Sequence, residues 1–193
     1  MTWYVVDGMD GCGKSTAGEI VAEELRSRGR RVKLVSHPNP DCIWGRIENR
    51  FLHKEGATAT VCVMIFYITD VVTSLFRCKF KRKEYDDLVF VRYIMAVSYL
   101  PEKVVRKGYR VISCILPMPD VKLLIDVDAK TAMARIEARS EDREAFEKED
   151  KLAAIRTKMH MLTEDNWDVI DNTQGLDHTK SQIKEVIDRE CRS

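Results

Sequence analysis

Gly8, Gly13, Lys14 and Ser15 stand in the spacing G-x-x-x-x-G-K-[ST], with a further glycine at position 11, in the stretch GMDGCGKST. Glycines let a backbone turn successive N–H groups to one side, which makes a concave nest for an anion. A helix that starts near Lys14 adds the positive end of its dipole to the same point. In such a loop the lysine reaches the β- and γ-phosphates of a nucleoside triphosphate, and the Ser15 hydroxyl is a Mg²⁺ ligand. The candidate phosphate-binding set is therefore the loop itself: Gly8, Asp10, Gly11, Cys12, Gly13, Lys14, Ser15 and Thr16.

A loop of this kind needs a strand before it and a helix after it. The apolar run Trp3-Tyr4-Val5-Val6 supplies the first, and the segment up to Gly29, with Ile20, Val21 and Leu25 on one face, supplies the second. Further strands are expected at 31–35, 88–91, 121–127 and 167–171, where β-branched and apolar residues run together. Between them the pattern predicts a short amphipathic helix from Asp41 to Gly56 and a long apolar one capped by Thr58 or Thr60. Helix with a break at Pro101 is expected over 94–115, then one over 129–138 capped by Asp128. The last two run from about 144 to 162 and to about 189. Strands alternating with helices imply a parallel sheet covered on both faces. The expected fold is α/β: a three-layer P-loop NTPase with five parallel strands, in one domain over 1–193.

Composition narrows the function. A net charge of +1 exerts no sequence-wide pull on nucleic acid or an anionic membrane. The basic run Arg77, Lys79, Lys81, Arg82, Lys83 suits the C-terminal dipole of the apolar helix as a solvated end. The six cysteines form no C-x-x-C pair, which reads as reduced thiols in a cytoplasmic protein. The opening residues reach the charged, glycine-rich loop too soon for a signal peptide. Residues 57–76 are very apolar, but Thr69, Asp70 and Thr73 interrupt them, so a buried helix or a subunit contact is expected rather than a membrane span.

With these stretches in view, the chain resembles the nucleoside monophosphate kinases, thymidylate kinases most closely, over nearly its whole length. The opening DGMDGCGKST at 7–16 matches that family's first loop, where the acid at the position of Asp10 accepts a hydrogen bond from the acceptor's 3′-hydroxyl. Pro119-Asp120 and the following Leu-Leu-Ile-Asp-Val resemble its fourth strand. Arg135, Arg139, Arg143, Phe146 and Glu147 follow the pattern R-I-x-x-R-x-x-x-R-x-x-F-E, which resembles the lid (here about 138–147) and the helix after it. Val-Ile-Asp-Asn-Thr at 169–173 resembles the loop that flanks adenine.

The resemblance implies transfer of the γ-phosphoryl of ATP, with Mg²⁺, to a nucleoside monophosphate, dTMP first. It places Lys14, Arg139 and Arg143 at the chemistry, and Arg135 and Asn172 with the loop on the ATP side. Asp10, Phe66, Tyr67, Arg92 and Tyr93 fall on the acceptor side, and Ser15 on the metal. Forms of the family with glycine at the position of Gly11 carry the catalytic arginine in the lid. The lid arginines also make sense by themselves. Two guanidinium groups four residues apart in a polar stretch suit a hinged clamp on the transferring phosphoryl. With Glu141, Asp142 and Glu144 at hand, they also read as a surface charge network.

Departures cluster on the acceptor side. Val91 precedes Arg92-Tyr93 where the family has an aspartate, Val71 follows Tyr67 by four where it has an arginine, and Pro40 stands where an arginine often sits. Arg46, Arg50 and Arg77 are the candidate replacement cations. Besides the kinase, two functions stay open: a nucleotide-dependent switch ATPase, with Asp126 as its strand-end acid, and a kinase-like protein with another acceptor or little transferase activity. Small nucleotides are the expected partners, with a homodimer through the apolar helix 58–76.

Overall fold

The computed structural model describes residues 1–37, 57–81, 83–138, 149–163 and 166–192, with the backbone alone for 57–66 and 79. Five strands, β1 (Thr2–Asp7), β2 (Val32–Ser36), β3 (Asp87–Val91), β4 (Val121–Asp126) and β5 (Asp168–Asp171), form one sheet in the order β2-β3-β1-β4-β5. Every pairing is parallel, as the alternation of strand and helix requires. The helices are α1 (Lys14–Ser27), α2 (Ala57–Phe80), α3 (Glu102–Ile115), α4 (Ala129–Glu137), α5 (Glu149–Leu162) and α6 (Leu176–Glu190), with a 3₁₀ turn at Met95–Tyr99.

The sheet's two faces follow from the alternation of side chains along a strand. Val91 meets Gly18 of α1, and α1 lies beside α6, so these two helices cover one face. Trp3 and Leu88 on the other face are covered by α2 and the end of α3. Strands β1 and β3 are buried on both sides, which explains why they read as unbroken apolar runs. β1 lies at the centre, with β3 on one side and β4 on the other, so the connection after it opens where the chain order reverses. That is where ligands bind in open sheets of this type.

The cap of α4 follows expectation: Asp128 accepts from the Thr131 N–H at 2.8 Å. The start of α2 does not, because the helix begins at Ala57 and Thr58 and Thr60 lie inside it. The helix expected at 41–56 and the start of the one expected from 144 lie outside the described residues.

At the far end of the sheet from the loop, Asp87 is fully buried. It accepts from the Thr2 N–H at 3.2 Å and from Arg30 through both Nε and Nη2, the latter at 2.6 Å. One carboxylate thus ties together the entries to β1, β2 and β3. Asp87→Ala leaves these donors without their acceptor and is expected to cost about 2–4 kcal/mol. Thermal unfolding should show a fall in Tm of about 5–15 °C, while kcat of the folded fraction stays unchanged.

Candidate active site

The loop after β1 turns because Gly11 and Gly13 take φ of +77° and +95°, a region side chains rarely adopt. Gly13 caps α1, so the first N–H groups of that helix face the space above the loop. A Cβ on Gly13 would lie 2.6 Å from Nδ2 of Asn172, so the loop for which the motif asks is also a packing surface. Lys14 is 5% exposed and donates from Nζ to the Met9 carbonyl at 2.7 Å and to Asp10 Oδ1 at 3.1 Å. Ser15 and Thr16 are exposed at the start of α1.

Asp10 is where the network converges. Its carboxylate accepts from Lys14, from Nη2 of Arg92 at 2.6 Å and from the Tyr99 hydroxyl at 2.7 Å. Burial works to raise its pKa, but the charges of Lys14 and Arg92 and the Tyr99 hydrogen bond outweigh it, so the carboxyl sits well below the usual carboxylate range. Arg92 reaches this point from a left-handed backbone, φ +64°, and its other Nη donates to the His37 carbonyl at 3.3 Å. A non-glycine residue held at such an angle is strained and persists only when its surroundings fix it.

Asp7 does the fixing. Fully buried at the end of β1, it accepts from the N–H groups of Tyr93, Ile94 and Met95, each at 3.1 Å. Burial pushes its carboxyl up, against the pull of those N–H groups and of the Lys14 and Arg92 charges. This aspartate caps the 3₁₀ turn that follows Arg92 and carries Tyr99, so it positions two of the three groups on Asp10. Neither Asp7 nor Tyr99 stood out as a functional residue in the sequence; the one available signal was an acid closing an otherwise apolar strand.

On the opposite side of the loop, Asn172 Nδ2 donates to the Cys12 carbonyl at 2.7 Å, and Arg135 bridges that carbonyl at 3.5 Å and the Asn172 carbonyl at 3.0 Å. The Cys12 side chain is buried and burial pushes its thiol up, so it contributes packing there. Both residues expected on the ATP side thus touch the loop.

On the acceptor side, two of the expected aromatic side chains are buried. Tyr93 is 1% exposed; its ring packs on Trp3 and Phe90, and its hydroxyl donates to the Pro117 carbonyl at 2.8 Å, so the side chain lies in the core. Tyr67 is also largely buried, its hydroxyl on the Tyr93 carbonyl. Arg77 cannot serve the acceptor. It is ten residues, about 15 Å of helix, beyond Tyr67, next to Cys78, whose carbonyl accepts from Tyr85 at the other end of the sheet. Val91 points at Gly18, one turn along α1 from Ser15, an apolar contact where the family's aspartate would bring a charge. Arg46, Arg50, Pro40, Arg139, Arg143, Phe146, Glu147 and the Phe66 side chain lie outside the described residues.

Asp126, the acid a switch ATPase would need, is already engaged. Arg156 holds both its oxygens at 2.7 and 2.6 Å, with His160 at 3.1 Å, and these contacts lower its pKa against the effect of burial. Mg²⁺ is a different matter. It takes one or two protein oxygens together with substrate phosphates and water, and the exposed Ser15 hydroxyl at the head of α1 fits that requirement.

Comparison with known proteins extends the likeness over the whole chain. A thymidylate kinase from Thermosipho melanesiensis is 26% identical over 191 residues, covering 94% of this chain and 95% of that one. A probable thymidylate kinase from Archaeoglobus fulgidus is 22% identical over 193 residues, covering 95% and 93%. The solved thymidylate kinase from Candida albicans shares the fold, with a TM-score of 0.75 at 15% identity over 98% of this chain and 92% of that one. The family model described as thymidylate kinase matches residues 6–183, a span holding the glycine-rich loop, the Asp10 network and Asn172, and by that match this chain belongs to the thymidylate kinase family.

Proposed function

We propose that the protein transfers the γ-phosphoryl of ATP to dTMP, giving ADP and dTDP. The observation that carries this is the shared carboxylate: Asp10 binds Lys14 on the donor side and Arg92 and Tyr99 on the acceptor side within one set of hydrogen bonds. Such an arrangement sets donor and acceptor at a fixed separation, and phosphoryl transfer depends chiefly on positioning and charge.

The loop N–H groups and Lys14 hold the β- and γ-phosphates, while Arg135 and Asn172 flank the nucleotide. Ser15 would hold Mg²⁺, which would supply neutralisation of phosphate charge. Arg92 pairs with the acceptor phosphate, Asp10 accepts from the acceptor sugar hydroxyl, and Tyr67 with Phe66 borders the base. The acceptor phosphate is already anionic at neutral pH, so no general base is needed. Arg139 and Arg143, in a lid over about 138–147 of a single domain, close on the γ-phosphoryl and neutralise the charge that spreads over it.

The protein acts in the cytoplasm as a homodimer. Between α2 and α3, Val72, Leu75, Phe76, Ile115 and Leu116 line an apolar hollow of about 610 Å³, with Phe76 and Ile115 59% and 70% exposed. No helix among the described residues is long and apolar enough to cross a membrane, and a second copy would cover this surface.

The test is ADP formation from ATP and Mg²⁺ with each nucleoside monophosphate in turn. Stimulation by dTMP above the others is the expected result. Slow hydrolysis that no acceptor stimulates would overturn the proposal in favour of an ATPase.

A further inference from the structure

Behind the glycine-rich loop, two polar side chains converge on one peptide bond. Thr179, 1% exposed on α6, has its Oγ1 2.8 Å from Oδ1 of Asn172, and Nδ2 of the same amide donates to the Cys12 carbonyl at 2.7 Å. The direction of each bond is determined. Oδ1 turned toward Cys12 would set two acceptors against each other, so Nδ2 faces that carbonyl. Oδ1 then faces Thr179, whose hydroxyl supplies the hydrogen. The Gly175 and Asp171 carbonyls lie farther from that hydroxyl, at 3.2 and 3.5 Å, and each already has a donor, the Thr179 N–H and Gln182.

The backbone around Asn172 is tied down as well. Its N–H donates to the Asp126 carbonyl at 2.9 Å and its carbonyl accepts from Arg135. Gln182 holds the neighbouring Asp171 on both sides, accepting from its N–H at 3.0 Å and donating to its carbonyl at 2.8 Å. The amide is therefore a fixed post, and what it holds is the Cys12–Gly13 peptide. In a trans peptide the carbonyl and the following N–H point to opposite sides. A Cys12 carbonyl drawn onto Asn172 turns the Gly13 N–H the other way. Gly13 is left-handed, at φ 95° and ψ 19°, and Lys14 begins α1 in the right-handed region. That alternation makes the N–H groups of Gly13, Lys14 and Ser15 converge as an anion nest. Among the described residues the Gly13 N–H donates to no backbone carbonyl, so it is left for a ligand.

We infer that Thr179, acting through Asn172, locks the Cys12–Gly13 peptide with its N–H toward the β-phosphate, and so sets the donor site's preference for ADP and ATP over AMP. Thr179 is a positioning residue: its hydroxyl holds the amide, the amide holds the carbonyl, and the carbonyl aims the N–H. The inference rests on the proposed binding of ATP at the loop and names what keeps that loop in its binding form.

Cys12–Gly13 is the one Cys-Gly step in the sequence. Full-length protein labelled with ¹³C at cysteine carbonyls and ¹⁵N at glycine therefore shows this peptide alone in a carbonyl-filtered NMR spectrum. Its amide proton should move downfield when ADP and Mg²⁺ are added, as an N–H that donates to a charged oxygen does. A proton that stays in place while ADP binds would overturn the inference, even if no variant folds.

Variants are titrated with ADP and Mg²⁺, and with AMP, with dTMP present to occupy the acceptor side. Thr179→Val should weaken ADP by about three- to tenfold and leave AMP as in the native protein. Asn172→Leu removes the donor itself and should weaken ADP by about tenfold or more. Thr179→Ser separates hydrogen bonding from packing, because it loses a methyl group but keeps the hydroxyl; its ADP affinity should stay close to native. A serine variant as weak as the valine one, or a folded Thr179→Val protein with the native ADP-to-AMP ratio, would overturn the inference and leave ATP binding standing. If the native protein binds no ADP, the proposed donor site fails and this inference fails with it.

Discussion

Lys14→Ala is expected to lower kcat/KM for phosphoryl transfer by about a thousandfold or more, with little effect on folding. The ammonium is the one side-chain cation of the glycine-rich loop, seated at the head of α1 and almost wholly removed from solvent. In a site with little water, a charge aimed at the phosphoryl oxygens acts with small screening and no reorganisation at the moment of transfer. The structural cost of losing it is modest. Asp10 keeps Arg92 and Tyr99, and the Met9 carbonyl is also the acceptor of the Cys12 N–H at 3.3 Å. Tm should therefore move by only a few degrees while ADP formation falls to background. Lys14→Arg should not rescue activity, because a planar guanidinium is larger and cannot occupy a pocket shaped around a point charge. Retention of a tenth of native kcat/KM in the alanine variant would show that the loop is not the donor site.

The parts of this structure that were legible in the sequence are those set by local period. The strand-loop-helix at 2–27 follows from glycine spacing and from the helix that such a loop requires. Strands β1 and β3 announced themselves as apolar runs because the sheet buries them on both faces. Asp128 was legible as a cap because its hydrogen bond closes within three residues.

What stayed hidden depends on residues far apart in the chain. Asp7 finds its donors at 93–95 and Asp10 its hydroxyl at Tyr99, separations that no pattern of period 2 or 3.6 can encode. Tyr93 was misplaced for a local reason. The positive φ at Arg92 reverses the chain, so that adjacent residues go to opposite fates: the arginine to the site, the tyrosine to the core. Arg77 could be read two ways, as a solvated helix end or as an acceptor cation, because periodicity identifies the buried face of a helix but not which end lies near a ligand; it stands exposed near the end of α2. His37 and Asp70, a buried pair 2.8 Å apart, join a strand end to a helix across a proline-containing segment, and only the assembled sheet brings the two together.

Gly11→Ala should do two kinds of damage, and a second glycine allows them to be separated. At φ +77° an alanine is strained by about 1 kcal/mol. Its Cβ would also lie 2.4 Å from the carbonyl oxygen of Ala132 and 2.9 Å from the carbonyl carbon, so backbone of α4 must move. The loop cannot simply retreat, because the neighbouring Cys12 carbonyl is held by Asn172 and approached by Arg135. Together these terms predict a loss of about 2–4 kcal/mol in stability. A shift of the nest approaching 1 Å should lower kcat/KM by about a hundredfold. Gly29→Ala is the control. It has φ +79° but nothing within 4 Å of its Cβ, so it carries the backbone strain without the collision and should leave activity intact. The same crowding bears on the chemistry. A loop with no room for a methyl group at position 11 has none for an arginine there, so the cation that meets the transferring phosphoryl must come from another element. On the proposed mechanism that element is the lid. Gly11→Arg should thus fail to restore transfer to a protein lacking Arg139 and Arg143, and recovery of activity in that triple variant would count against the lid as the source of the charge.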